Sequence, residues 1–123
     1  MSKILTSFLT FQQQIRIYHW STKRYSHHIA SGELYEKVDD LIDRFIETLQ
    51  GKIGRIAYKK LSINLRALNE KTVIKTMNAF KLFLVRDLER YLDNNNMTNT
   101  DLINIRDEIL GSVNQTLYLF TFQ

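Results

Sequence analysis

Apolar residues recur in steps of three and four from the start of the chain: Ile4, Phe8, Phe11, Ile15 and Tyr18. That step is the repeat of one helix face and predicts a first helix over about residues 2–20, with Ser2 as its N-cap. A second stripe, Leu34, Val38, Leu41, Ile42, Phe45 and Leu49, predicts a helix over about 26–50 that stops at Gly51. Residues 52–70 keep apolar residues but carry two early glycines, and read as a crossover with a short helix. Val73, Met77, Phe80, Leu84, Leu88 and Tyr91 line a third helix over about 71–93. The run Asp93–Asp101 breaks the pattern. Thr98 with Asp101 resembles a capping box, which opens a fourth helix to about residue 121. Leu102, Ile109, Val113, Leu117 and Phe120 face inward there.

Four long helices with one long middle connection predict an all-α fold, a ferritin-like four-helix bundle with a crossover between helices two and three. The absence of proline agrees with uninterrupted helices. No repeat, linker or low-complexity tract divides the 123 residues, so one domain over 1–123 is expected.

Composition narrows the chemistry. The chain has no cysteine, which removes disulfides, thiolate metal sites and a cysteine nucleophile, and suits a reducing cytoplasm. The N-terminal run is interrupted by Ser and Thr and followed by three Gln, so it is no signal peptide, and no stretch is long enough to cross a bilayer. The net charge of +4 is uneven. Lys3, Arg16, Lys23 and Arg24 precede the first acid, Glu33, and Lys52, Arg55, Lys59, Lys60 and Arg66 form a second stretch without acids. Such segments suit weak nucleic-acid binding, although their simplest reading is a solvated basic face. No G-x-S-x-G elbow, phosphate-binding loop or H-E-x-x-H motif is present.

The second helix also carries a strip that is neither core nor plainly solvent: His28, Gly32, Tyr35, Asp39, Asp43, Ile46 and Glu47. Asp43 and Glu47, four apart, share a face and suit a divalent cation. His28 lies fifteen residues before Asp43, about 22 Å along the same helix, so the two cannot grip one ion in one chain. His19 ends the first helix, and a short turn brings it beside His28. A second copy of helix two, laid antiparallel and centred near Tyr35 to Lys37, would set its Asp43 and Glu47 against His28, twice about a two-fold axis. The strip then becomes a dimer seam, with Gly32 allowing close approach. In the simplest alternative, His28 bonds a backbone carbonyl and His27 is an exposed neighbour. Trp20 then packs in the core, and Asp39, Asp40 and Asp43 pair with Lys37 and Arg44.

His-Trp at 19–20, then His28, then Asp-x-x-x-Glu at 43–47, resembles the Dps-type miniferritins. The resemblance implies an intersubunit ferroxidase site with His19, His28, Asp43 and Glu47 as ligands of iron or another divalent transition metal. It places Trp20 beside that site, and ferrous iron would be oxidised by peroxide or dioxygen. His28 to Asp43 has that family's spacing. The gap between the two histidines is about three residues shorter, and Gly32 stands where those proteins carry an acid. The fuller pattern over residues 18–51 is also similar to short uncharacterised proteins of large DNA viruses and phages, which implies a host cytoplasm. The ordinary ferritin motif, Glu-x-x-His, is absent. The alternative to a metal protein is a metal-free scaffold of the same fold, acting as an interaction or weak nucleic-acid-binding protein.

Overall fold

In the computed structural model, described for residues 1–93 and 98–123, the chain is helical with no strand among the described residues. Helix α1 spans Ser2–Ser21 and α2 spans Tyr25–Ile53. A third rod is built from α3 (Glu70–Leu82), a wide π-helical turn (Phe83–Asp87) and α4 (Leu88–Asp93). Helix α5 covers Thr100–Leu119. The main contacts join α1 to α2, α2 to α5, α1 to α3 and α3 to α5.

Ion pairs between helix ends fix the directions. Lys3 meets Asp87 and Lys52 meets Asp101 at one end of the bundle. Arg24 meets Glu70 at the other, where it and Ser26 also donate to the carbonyl of Phe122. So α1 and α2 are antiparallel, the connection after α2 travels back along the bundle, α3 runs in the direction of α2, and α5 returns. One apolar core fills the space between them, with Phe8, Tyr18, Phe45, Met77, Leu84 and Ile109 essentially closed to solvent. Burying side chains of this size stabilises by roughly 1.5–3 kcal/mol each.

The connection holds no helix, contrary to expectation: residues 54–69 are irregular throughout. Leu68 is its one fully buried apolar side chain, so little apolar surface is there to support a helix face. A side chain of α1 holds this segment in place instead. Gln14, buried, donates through Nε2 to the carbonyl of Arg66 at 2.7 Å and accepts from the Arg66 N–H through Oε1 at 2.8 Å. This pair of bonds imitates a strand partner.

Several boundaries differ from the sequence reading. Helix α2 passes through Gly51 and stops at Gly54, whose φ of 89° is costly for any residue with a Cβ. Ser2 is already helical, and no side chain caps α1. Asn69 caps α3, in a box with Thr72. Helix α5 opens after Asn99 rather than Thr98, and Asp101 bonds Lys52. The expected break between helices falls partly on residues 94–97, which lie outside the described residues. The third rod is not one plain α-helix. Its buried residues Leu84, Leu88 and Leu92 step by four, which over-rotates a 3.6-residue turn by about 40° per step. A wide turn takes up that drift and keeps the leucines facing the core. Arg106 of α5, only 7% exposed, donates to the Leu84 carbonyl at 3.0 Å in this turn and is balanced by Asp107 and Glu89.

Candidate metal-binding seam

The turn Thr22–Arg24 is extended at both ends, with ψ of 143° and 120°, and folds α2 back beside α1. It brings His19 and His28 face to face. Their rings stack at 4.0 Å with 13° between planes. Each Nδ1 bonds the other residue's backbone carbonyl, His19 to His28 O at 2.6 Å and His28 to His19 O at 2.9 Å. A carbonyl only accepts, so each Nδ1 carries a proton, and in the neutral ring Nε2 keeps its lone pair. Metal-binding histidines are commonly oriented by such a carbonyl bond. Both rings are half-buried.

Gly32 makes the arrangement fit. A Cβ at that position would lie 2.7 Å from His19 Cε1 and 3.0 Å from Nδ1. The acid that the resemblance would place here has no room beside the ring. Tyr35 meets His19 edge-on at 5.2 Å, and Arg16 lies 4.9 Å over the Tyr35 ring. Arg16 and Gln12 both donate to the Asp39 carboxylate at 3.0 Å, so Asp39 is bound within its own chain.

Asp43 and Glu47 are exposed on the same continuous helix. Arg44, expected with Lys37 to pair with Asp39, Asp40 and Asp43, meets Glu108 of α5 at 3.4 Å. Among the described residues, no three His, Asp or Glu side chains converge around one point. One chain thus brings His19 to His28 and leaves Asp43 and Glu47 apart from them.

Two side chains sit opposite to expectation. Trp20 is no core residue: it is 70% exposed beside His19, and Tyr25, 77% exposed, lies 6.4 Å from His28. Ile29, one turn further along α2 from Tyr25, is exposed as well. His27, in contrast, is buried at 3% exposure. Its Nδ1 accepts from Tyr18 Oη at 2.7 Å, its Nε2 donates to the Phe120 carbonyl at 3.0 Å, and its ring stacks on Phe120 at 4.2 Å. Burial raises the Tyr18 phenol above its ordinary value of 10.0, only partly offset by the Thr22 side chain. The sequence did contain a sign of this: Tyr18 belongs to the apolar stripe of α1, and His27 lies 100° around α2 from His28. No helix among the described residues is long and apolar enough to cross a membrane.

Residues 19–120, which include the whole seam, match the model of a protein family described as a family of unknown function, DUF5856. No curated protein and no solved structure matches the chain.

Proposed function

The chain belongs to the DUF5856 family, and we propose that it acts as a two-fold dimer that binds a divalent transition metal, iron first, between subunits. His19 and His28 of one copy and Asp43 and Glu47 of the second would hold the ion. The observation that carries this reading is the crossed pair of Nδ1–carbonyl bonds, which fixes two imidazoles side by side, with no bond to either Nε2 among the described residues. Histidine nitrogen with carboxylate oxygen suits iron and its neighbours.

The rest of the seam supports a second copy as the missing half. The outward face of α2 divides into an apolar end, with Tyr25 and Ile29, and an acidic end, with Asp40, Asp43 and Glu47, all exposed. Antiparallel pairing lays each end on the other, and the exposed Trp20 then gains cover. The order of helices, with α3 running as α2 does after a long return, supports a ferritin-like bundle. Bound iron would supply one-electron transfer to peroxide or dioxygen. The chain's own part is to orient the two rings, exclude water with Trp20 and Tyr25, and present two carboxylates. A reducing cytoplasm suits this cysteine-free chain.

Metal content of protein purified without chelator tests the reading. The expected result is about one ion per chain, lost in both His28→Ala and Glu47→Ala, with a dimer or larger assembly in sedimentation. A monomer, or bound metal unchanged by both substitutions, would refute it. A second reading has its own observation: Arg55, Lys59 and Lys60 are exposed on the irregular connection, in a stretch without acids. It makes the chain a metal-free scaffold that binds nucleic acid weakly through charge. Gel shifts that vanish steeply with added salt would favour it.

A further inference from the structure

A second built region lies away from the seam, between α1, α3 and the irregular segment after α2. There a groove of about 660 Å³ opens to solvent, within the usual size of small-molecule sites. Its floor is aromatic. Phe11 of α1 stacks on Phe80 of α3 at 3.8 Å with 4° between planes, and Phe83 lies 5.8 Å from Phe80. Its third wall is Arg66–Leu68, the stretch that Gln14 clamps by two backbone bonds and that Leu68 anchors in the core. The groove is therefore formed before any ligand arrives.

Its two ends differ. Along α3 the lining runs from Thr72 and Lys75 at one end to Phe80 and Phe83 at the other, roughly 16 Å at 1.5 Å per residue. Arg66 stands at the same end as Lys75 and also borders an adjoining cavity of about 280 Å³ with Gln14 and Thr76. No acidic residue lines either space. Among the described residues, neither Arg66 nor Lys75 takes part in the ion pairs seen, which use Lys3, Arg16, Arg24, Arg44, Lys52 and Arg106. Two unneutralised cations at one end and an aromatic floor at the other match a molecule with an anionic head and an apolar tail.

We propose that this groove binds a medium-chain fatty acid, its carboxylate at Arg66 and Lys75 and its tail over Phe11, Phe80 and Phe83. Hydroxyls of Thr10 and Thr76 lie along the path of the head group. An uncharged alcohol of equal length would leave both cations without a partner and bind more weakly.

Calorimetry with dodecanoate, below its micelle concentration and on the full chain, tests the proposal. One saturable site per chain is expected, with dodecanol weaker by about tenfold, the worth of a charge-assisted contact. The double substitution Arg66→Gln with Lys75→Gln should weaken dodecanoate by a similar factor. Ala79→Leu, on the exposed lining of α3, should narrow the groove and weaken binding while preserving the helix. No saturable binding, equal affinity for acid and alcohol, or binding indifferent to Ala79→Leu would each overturn the assignment.

Discussion

His27 and His28 are adjacent in the chain and opposite in circumstance. Both belong to the first turn of α2. His27 turns into the bundle, where both ring nitrogens find partners and an aromatic ring covers its face. His28 turns to the α1–α2 seam, where one nitrogen is bound and its ring is half open. The first is a structural pin that ties α2 to α1 and to the end of α5. The second is an oriented ligand-type group at a surface. Identity of the side chain therefore says little; the 100° between neighbours on a helix decides the role.

The comparison breaks if the two residues respond alike to substitution. His27→Ala should cost about 3 kcal/mol, because it opens a cavity and strands both the Tyr18 hydroxyl and the Phe120 carbonyl. Urea unfolding measures this, and metal content should stay unchanged. Tyr18→Phe removes only the hydroxyl and should cost about 1 kcal/mol. It carries a pH signature as well. The raised phenol pKa means that the stability Tyr18 contributes is complete below pH 10 and is lost as pH climbs through the folded-state value. Unfolding midpoints measured on either side of pH 10 should therefore converge in Tyr18→Phe relative to the parent.

Gly32→Ala should change stability by less than about 1 kcal/mol, since the helix gains from alanine roughly what the His19 ring loses in being displaced. Its effect should fall on the metal, weakened about tenfold or more as the ring leaves its carbonyl. Unfolding and metal titration on the same sample separate the two. His28→Ala should be the mildest of all for folding, within about 0.5 kcal/mol. A large loss of stability in His28→Ala would make both histidines structural and end the contrast.

The apolar stripes that placed the helices are recovered in the core, with Tyr91 and Leu117 partly buried against it, because a 3.6-residue repeat must bury one face wherever the helices go. Pairing of His19 with His28 was also legible, since a three-residue turn leaves a helix end few places to point. The exposure of Trp20 was not legible, and the burial of His27 was legible only in part, from its place seven residues before Leu34 on the core face of α2. Trp20 lies two residues past Tyr18, the stripe's last member, and so about 200° around the helix from it, at the exposed end of α1. The partner of His27 was hidden: its Nε2 donates to the carbonyl of Phe120, ninety-three residues away. The connection after α2 keeps apolar residues but makes no helix: only Leu68 is fully buried, and Gln14 of α1 satisfies the backbone of Arg66 instead. Long-range polar partners of this kind leave no period in a sequence.

The wide turn in the third rod has a mechanical meaning. A guanidinium reaching from α5 to the Leu84 carbonyl works as a key in a slot. Sliding α5 by one helical step would cost the buried guanidinium its Leu84 and Glu89 partners, so two apolar rods acquire a preferred axial setting. Arg106→Met, which keeps the bulk and discards the key, would let the bundle keep its shape while loosening that setting.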